Sequence, residues 1–249
     1  MGLQEVAHSL LELGADLTTQ LNDGSTPLHL ASEVGHGEVA RLLLERGADS
    51  IARTNIGSTP LYFASKEEVA RLLLEHGADP ATQNNDGLTP LRHAVRLGLA
   101  EVVQSFVGSG ANVTVQGKDR STLLHLASRW GHAEVASFLF EHGVDATAPN
   151  KHGWSALHLA SRWGHLEVAR FFLDRGVDAT VQNKYGSTPL RLALQGGHVE
   201  VARLLGERGA DTTVVGEQVA TSWQVALHQE DLELARLFER DADETARVI

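Results

Sequence analysis

Short apolar runs alternate with polar, glycine-marked stretches along the whole chain. Leu28, Leu30 and Ala31 follow Thr26-Pro27 and are closed by Gly35. Val39, Leu42, Leu43 and Leu44 follow Glu38 and are closed by Gly47. Each run places its apolar residues on one face of a short helix. Thr26-Pro27 predicts the helix start: a hydroxyl N-cap, then proline at the first helical position, where its missing N–H does no harm. Glycine supplies the positive φ that ends the helix. Glu38 opens the second helix, where a carboxylate complements the helix dipole. The polar stretch from Ala48 to Gly57 carries turn signals and predicts an exposed hairpin. The unit therefore reads helix, turn, helix, long loop.

This unit recurs. Gly24-Ser25-Thr26-Pro27-Leu28-His29-Leu30-Ala31 returns from Gly57, Gly87, Arg120, Gly153 and Gly186, and in degraded form from Val219. The steps are 33 residues, except one of 30, where the turn between Ala64 and Val69 is shortened. The expected division is a partial unit 1–21, repeats 22–54, 55–84, 85–117, 118–150, 151–183 and 184–216, and a C-terminal capping unit 217–249. Neither helix of a unit is long enough to be stable alone in water. Each unit has to bury its apolar faces on its neighbours, which predicts an all-α repeat solenoid stabilised by nearest-neighbour interfaces.

Composition agrees with a folded chain. Of 249 residues, 42% are hydrophobic and 21% charged, close to the soluble globular average. The net charge of −11 argues against nucleic acid and anionic lipid as partners. No cysteine is present, which excludes a disulfide framework, a thiolate zinc site and a cysteine nucleophile. There is no apolar stretch of membrane-spanning length, and no secretory signal is expected. A cytoplasmic location is the expectation, with the nucleus left open, and a monomer is expected.

The T-P-L-H-x-A, G-H-x-E-V and G-A-D phrases at a 33-residue period closely resemble the ankyrin repeat. The resemblance covers essentially the whole chain. It implies a stack of antiparallel helix pairs with projecting β-hairpin loops, and a concave face built from loop tips and first helices. It also implies a non-catalytic module that binds another protein on that face. The chain departs from the pattern in three ways. It begins at a second helix, since Glu5 to Asp16 matches Glu38 to Asp49, as in an excised segment of a longer protein. A recognition or self-association segment of a larger multidomain protein is therefore the alternative reading. The last unit replaces Thr-Pro-Leu-His with Thr221-Ser222-Trp223-Gln224. The position two residues after Gly-Ala-Asp, where many ankyrin repeats carry asparagine, holds Thr18, Ile51, Ala81, Thr114, Thr147, Thr180 and Thr213.

The 13 histidines invite a metal or general-base reading. Seven lie on repeat positions: His29, His125 and His158 in first helices, and His36, His132, His165 and His198 at turns. Equivalent positions in adjacent repeats lie about 8–10 Å apart, too far for two nitrogens each about 2 Å from one zinc. No metal site and no cofactor is expected, and the resemblance gives these histidines structural roles. Arg41–Glu45, Arg71–Glu75, Arg170–Asp174 and Arg203–Glu207 are expected as i,i+4 pairs on a solvated face. No nucleotide-binding, zinc-protease or nucleophile-elbow motif occurs in a suitable context, so no enzyme is expected.

The residues that break the motif are informative. Units 118–150 and 151–183 match at 20 of 33 positions, and both carry Ser-Arg-Trp-Gly-His. Arg129-Trp130 and Arg162-Trp163 fall at the ends of first helices, which in the ankyrin pattern face the concave groove. Trp and Arg dominate binding energy at interfaces. The alternative is that the tryptophans pack against adjacent helices. Three of the four lysines, Lys118, Lys151 and Lys184, share one loop-tip position. They are either a selectivity column or a residue of duplication. His152, Tyr185 and Trp154 accompany them, and Arg191 replaces the first-helix histidine. These eleven residues are the candidate partner site. They favour a partner protein with an acidic or aromatic-containing segment. In unit 55–84, Tyr62 and Phe63 replace histidine and leucine beside the shortened turn. Larger side chains there either compensate the deletion or alter the groove.

Overall fold

The Thr-Pro starts form helices in the computed structural model, which describes residues 3–210. Thr26, Thr59, Thr89 and Thr188 are N-caps in extended conformation, each followed by proline in the first turn. Thirteen α-helices and no strand are present among the described residues. The chain divides into two compact units, Met1–Val113 and Thr114–Ile249. The capping unit 217–249 lies outside the described residues.

The first unit holds α1 (Leu3–Glu12), α2 (Pro27–Val34), α3 (Gly37–Glu45), α4 (Pro60–Phe63), α5 (Glu67–Glu75), α6 (Pro90–Leu97) and α7 (Ala100–Gly108). First helices α2, α4 and α6 pack in one row, and α1, α3, α5 and α7 in another. Leu28, Leu61, Leu73 and Phe106 are fully buried between the rows. Each such side chain contributes about 1.5–3 kcal/mol. Pro27, Leu30 and Val39 are less covered than their counterparts further along the row, such as Pro60 and Val69. They line an apolar cavity of about 420 Å³ with α1.

The shortened turn is absorbed locally. Helix α4 has only four residues. Tyr62 stacks on His93 at 4.1 Å, and Phe63 meets His29 edge-on at 5.9 Å. The Ser65 backbone N–H donates to the Ser32 carbonyl at 3.2 Å. The two rings pack on neighbouring first helices, while Ser65, Lys66 and Glu68 lie against the Gly35–Gly37 turn of the preceding repeat.

The second unit holds α8 (Leu123–Trp130), α9 (Ala133–Glu141), α10 (Ala156–Arg162), α11 (Leu166–Asp174), α12 (Pro189–Gln195) and α13 (Val199–Glu207). Helices α8, α10 and α12 form one row; α9, α11 and α13 form the other. Leu124, Leu157 and Leu190 repeat along the first row, and Leu139, Phe172 and Leu205 along the second, all essentially inaccessible.

The projecting loops close as hairpin-like turns rather than strand ladders. The Asn150 N–H donates to the Trp154 carbonyl and the Gly153 N–H to the Asn150 carbonyl, both at 2.9 Å. Successive tips are joined by one backbone bond, Lys151 N–H to Asp119 O and Lys184 N–H to His152 O. A single bond per tip is too little for a β-ladder.

In three repeats a first-helix histidine fastens the unit to the next. The Ser155 N–H donates to His158 Nδ1 at 3.1 Å, so Nδ1 carries no proton and Nε2–H donates to the Ser187 carbonyl at 3.1 Å. His125 links Thr122 to the Trp154 carbonyl, and His29 links Thr26 to the Ser58 carbonyl, in the same way. The surface ion pairs differ from a uniform i,i+4 series. Arg71 and Glu75 meet at 3.9 Å, but Arg41 reaches Glu38 and Glu68, Arg170 reaches Glu167, and Asp174 is engaged by Arg208 of the next repeat. Neighbouring repeats compete for these exposed charges, and each pair contributes about 0–1 kcal/mol.

Candidate functional site

All eleven candidate residues lie in the second unit. Trp130 is the last residue of α8, and Gly131 caps it with φ +77°. Helix α10 ends at Arg162, Trp163 is its C-cap, and Gly164 follows with φ +73°. The left-handed glycine turns the chain sharply, so the preceding indole stays at the surface. Trp130 and Trp163 are 51% and 48% exposed. Each indole is thus about half covered by its surroundings and half open to solvent.

The two Arg-Trp pairs interlock. The Arg129 guanidinium lies 5.9 Å from the Trp130 ring and 5.7 Å from the Trp163 ring. The Arg162 guanidinium lies 5.8 Å from the Trp163 ring. The order is therefore indole, guanidinium, indole, guanidinium, with cation–π attraction at each step. Arg129 and Arg162 make no ion pair and no side-chain hydrogen bond among the described residues.

The backbone beneath the ladder is anchored from the next repeat. His165 Nε2–H donates to the Arg129 carbonyl at 3.0 Å, and His198 Nε2–H to the Arg162 carbonyl at 3.1 Å. A Cβ on Gly131 would lie 2.4 Å from His165 Nδ1, and one on Gly164 2.4 Å from His198 Nδ1. Gly131→Ala is therefore expected to lower stability by about 1–2 kcal/mol from the left-handed backbone alone, with added loss from displacing His165. A urea midpoint unchanged from wild type would contradict this.

The loop-tip residues form a second cluster. Lys184 Nζ donates to the Lys151 carbonyl at 2.7 Å. His152 Nδ1 and the Tyr185 hydroxyl lie 3.1 Å apart, with the rings stacked at 6.3 Å. Lys118 and Lys151 are exposed. Trp154 is half-buried, its ring 6.4 Å from that of His158. Arg191 stands in the first turn of α12, half-buried, with Nε buried and unbonded.

Two features escaped the sequence. Arg129 contacts an indole from the following repeat, signalled only by identical dipeptides 33 residues apart. On the second helices, Arg175 lies 4.7 Å from the Phe171 ring and 5.7 Å from Phe140, and pairs with Glu141 at 3.5 Å. The described residues hold no cluster of three or more metal-ligating side chains, and no helix long and apolar enough to cross a membrane.

A family model of ankyrin repeats, in three copies, matches residues 2–84, 52–117, 67–150, 91–183 and 150–216. No curated protein sequence matches the chain. Among solved structures, the human ASB11 ankyrin repeat domain is 25% identical, with a TM-score of 0.73, over 85% of this chain and 99% of that one. The matched segments overlap and run without a gap from residue 2 to residue 216; the chain belongs to the ankyrin repeat family.

Proposed function

We propose that this chain binds a partner protein on the first-helix and loop-tip face of repeats 118–150 to 184–216, with no chemistry of its own. Ankyrin repeats are in general protein–protein interaction modules. In this reading the repeats of 1–249 form a single binding domain. One observation carries the assignment: two half-exposed tryptophans, interleaved with two arginines that meet no carboxylate among the described residues. A large exposed indole is retained where a partner covers it. Trp and Arg are the residue types that dominate binding hot spots.

Each group has a task. Trp130 and Trp163 supply apolar area for anchoring. Arg129 and Arg162 take acidic groups of the partner. Lys118, Lys151, Lys184 and Arg191 add positive potential to a protein of net charge −11, and His152, Tyr185 and Trp154 offer ring faces and polar edges. An acidic, aromatic-containing partner segment fits this set. The backbone under the ladder rests on hydrogen-bonded turns, so little ordering opposes binding.

The test compares wild type with Trp130→Ala/Trp163→Ala in affinity capture from a lysate of the source cells. Circular dichroism confirms that both fold. The expected result is a protein retained by wild type and lost by the variant. Its purified form should bind the variant at least tenfold more weakly, a loss of about 1.4 kcal/mol or more. Equal affinity of the folded variant would overturn the site.

A further inference from the structure

We infer that the Arg–Trp ladder seats a partner segment in the left-handed polyproline II conformation, with acidic side chains at every third residue. The inference rests on the binding role proposed for the ladder and adds the conformation and register of the ligand.

Pitch is the first argument. The ladder places one Arg–Trp pair on each of two adjacent repeats, and helices packed in one row stand about 8–10 Å apart. A polyproline II helix has three residues per turn and rises about 3.1 Å per residue. Its every third side chain thus faces one side at intervals of about 9.3 Å. An extended β-strand presents one face at about 6.6 Å or 13 Å, which misses this pitch. An α-helix returns after seven residues, at about 10.5 Å, and is about 10–12 Å wide.

Chemistry along the ladder is the second argument. Trp130 and Trp163 leave about half their surface exposed, and exposed aromatic walls are what grip proline rings in polyproline recognition. Arg129 and Arg162 alternate with them. Elsewhere on the chain, Arg41, Arg170, Arg175 and Arg208 meet carboxylates of the chain itself. Among the described residues the ladder arginines meet none, which leaves their N–H groups for charge-assisted bonds to a ligand carboxylate. A segment of repeating acidic-Pro-Pro type offers an apolar ridge to each indole and a carboxylate to each guanidinium.

The test uses the full chain and three labelled twelve-residue peptides, read by fluorescence anisotropy at low salt. One has glutamate at every third position of a proline host. The second has the same composition with the glutamates clustered. The third has glutamate at every third position of a Gly/Ser host. The first should bind about tenfold tighter than either of the others. Arg162→Gln, with its fold confirmed by circular dichroism, should remove that preference. Equal binding of the first two peptides, or no binding by any, overturns the inference. Partner capture by Trp130→Ala/Trp163→Ala separates the two readings. If that variant loses its partner while the peptides show no register preference, the site stands and the polyproline register falls.

Discussion

Phe172→Ala should destabilise the protein by about 3–5 kcal/mol. Phe172 lies in the last turn of α11 and is wholly inaccessible. It fills the place that Leu139 and Leu205 hold in the neighbouring repeats, and its ring meets Phe171 edge-on at 5.6 Å. Truncation removes the apolar area of a whole ring and leaves a cavity that close-packed neighbours cannot refill. The loss acts on two interfaces, because α11 packs on both α9 and α13. In a repeat array, stability is a sum of unit and nearest-neighbour terms. The measurement is urea unfolding followed by circular dichroism. With a slope of about 1–3 kcal/mol per molar urea, the midpoint should fall by at least about 1 M. A shift worth less than about 1 kcal/mol would show that this position is not closely packed.

Acidification should weaken the fold well before the carboxylates titrate. Burial pushes the His158 imidazole down to about 4. Burial lowers His125 and His29 in the same direction, and burial with the Arg96 cation holds His93 at about 4. The geometry agrees, since Nδ1 of His158 receives an N–H and a proton there would face a donor. The unfolded chain binds a proton on each imidazole near pH 6.5, and the folded chain refuses it until near pH 4 for His158. Between those values the unfolded state holds more protons, so stability rises with pH. The contribution is complete above about pH 6.5 and is lost as pH falls towards 4. For His158 alone it amounts to about 3 kcal/mol, at 1.36 kcal/mol per pKa unit. Denaturation midpoints measured at pH 7.5, 6, 5 and 4.5 should fall steadily. His158→Gln should flatten the slope by about one proton. Flat midpoints over this range would mean that the imidazoles are protonated in the folded state.

Asp145 and Asp178 act in a separate window. Hydrogen bonds from Thr147 and Thr180 hold their carboxyls below the usual range. Their contribution is present above about pH 4 and lost as pH falls through their lowered values. The histidine effect is therefore seen before they titrate.

Helix positions were legible because they are local. Thr-Pro starts, glycine stops and apolar spacing each act within one or two turns, and their repetition every 33 residues reinforced every assignment. The Arg-Trp dipeptides were visible for the same reason. The interlocking of Arg129 with Trp163 was not, because it joins residues 34 apart whose distance depends on how α10 lies on α8. The ion pairs were misread at Arg41 and Arg170 for a related reason. A single helix offers an i,i+4 partner, but the stacked neighbour offers Glu68, and the rotamer reaching Glu167 competes on the same helix. The exposure of the tryptophans was equally undecided, since the same indole could lie over a neighbouring helix or in solvent.

The sequence by itself determined the repeat, its helix pairs, the need for stacking and the absence of thiol chemistry. These follow from composition and from short-range backbone preferences. The tertiary structure alone decided which side chains of adjacent repeats meet: the alternating ladder of Trp130, Arg129, Trp163 and Arg162, the histidine ties between repeats, and the turns that close the loops without strands. Such contacts depend on the packing distance and rotation between neighbouring helices, which are set by the whole interface and written in no single segment.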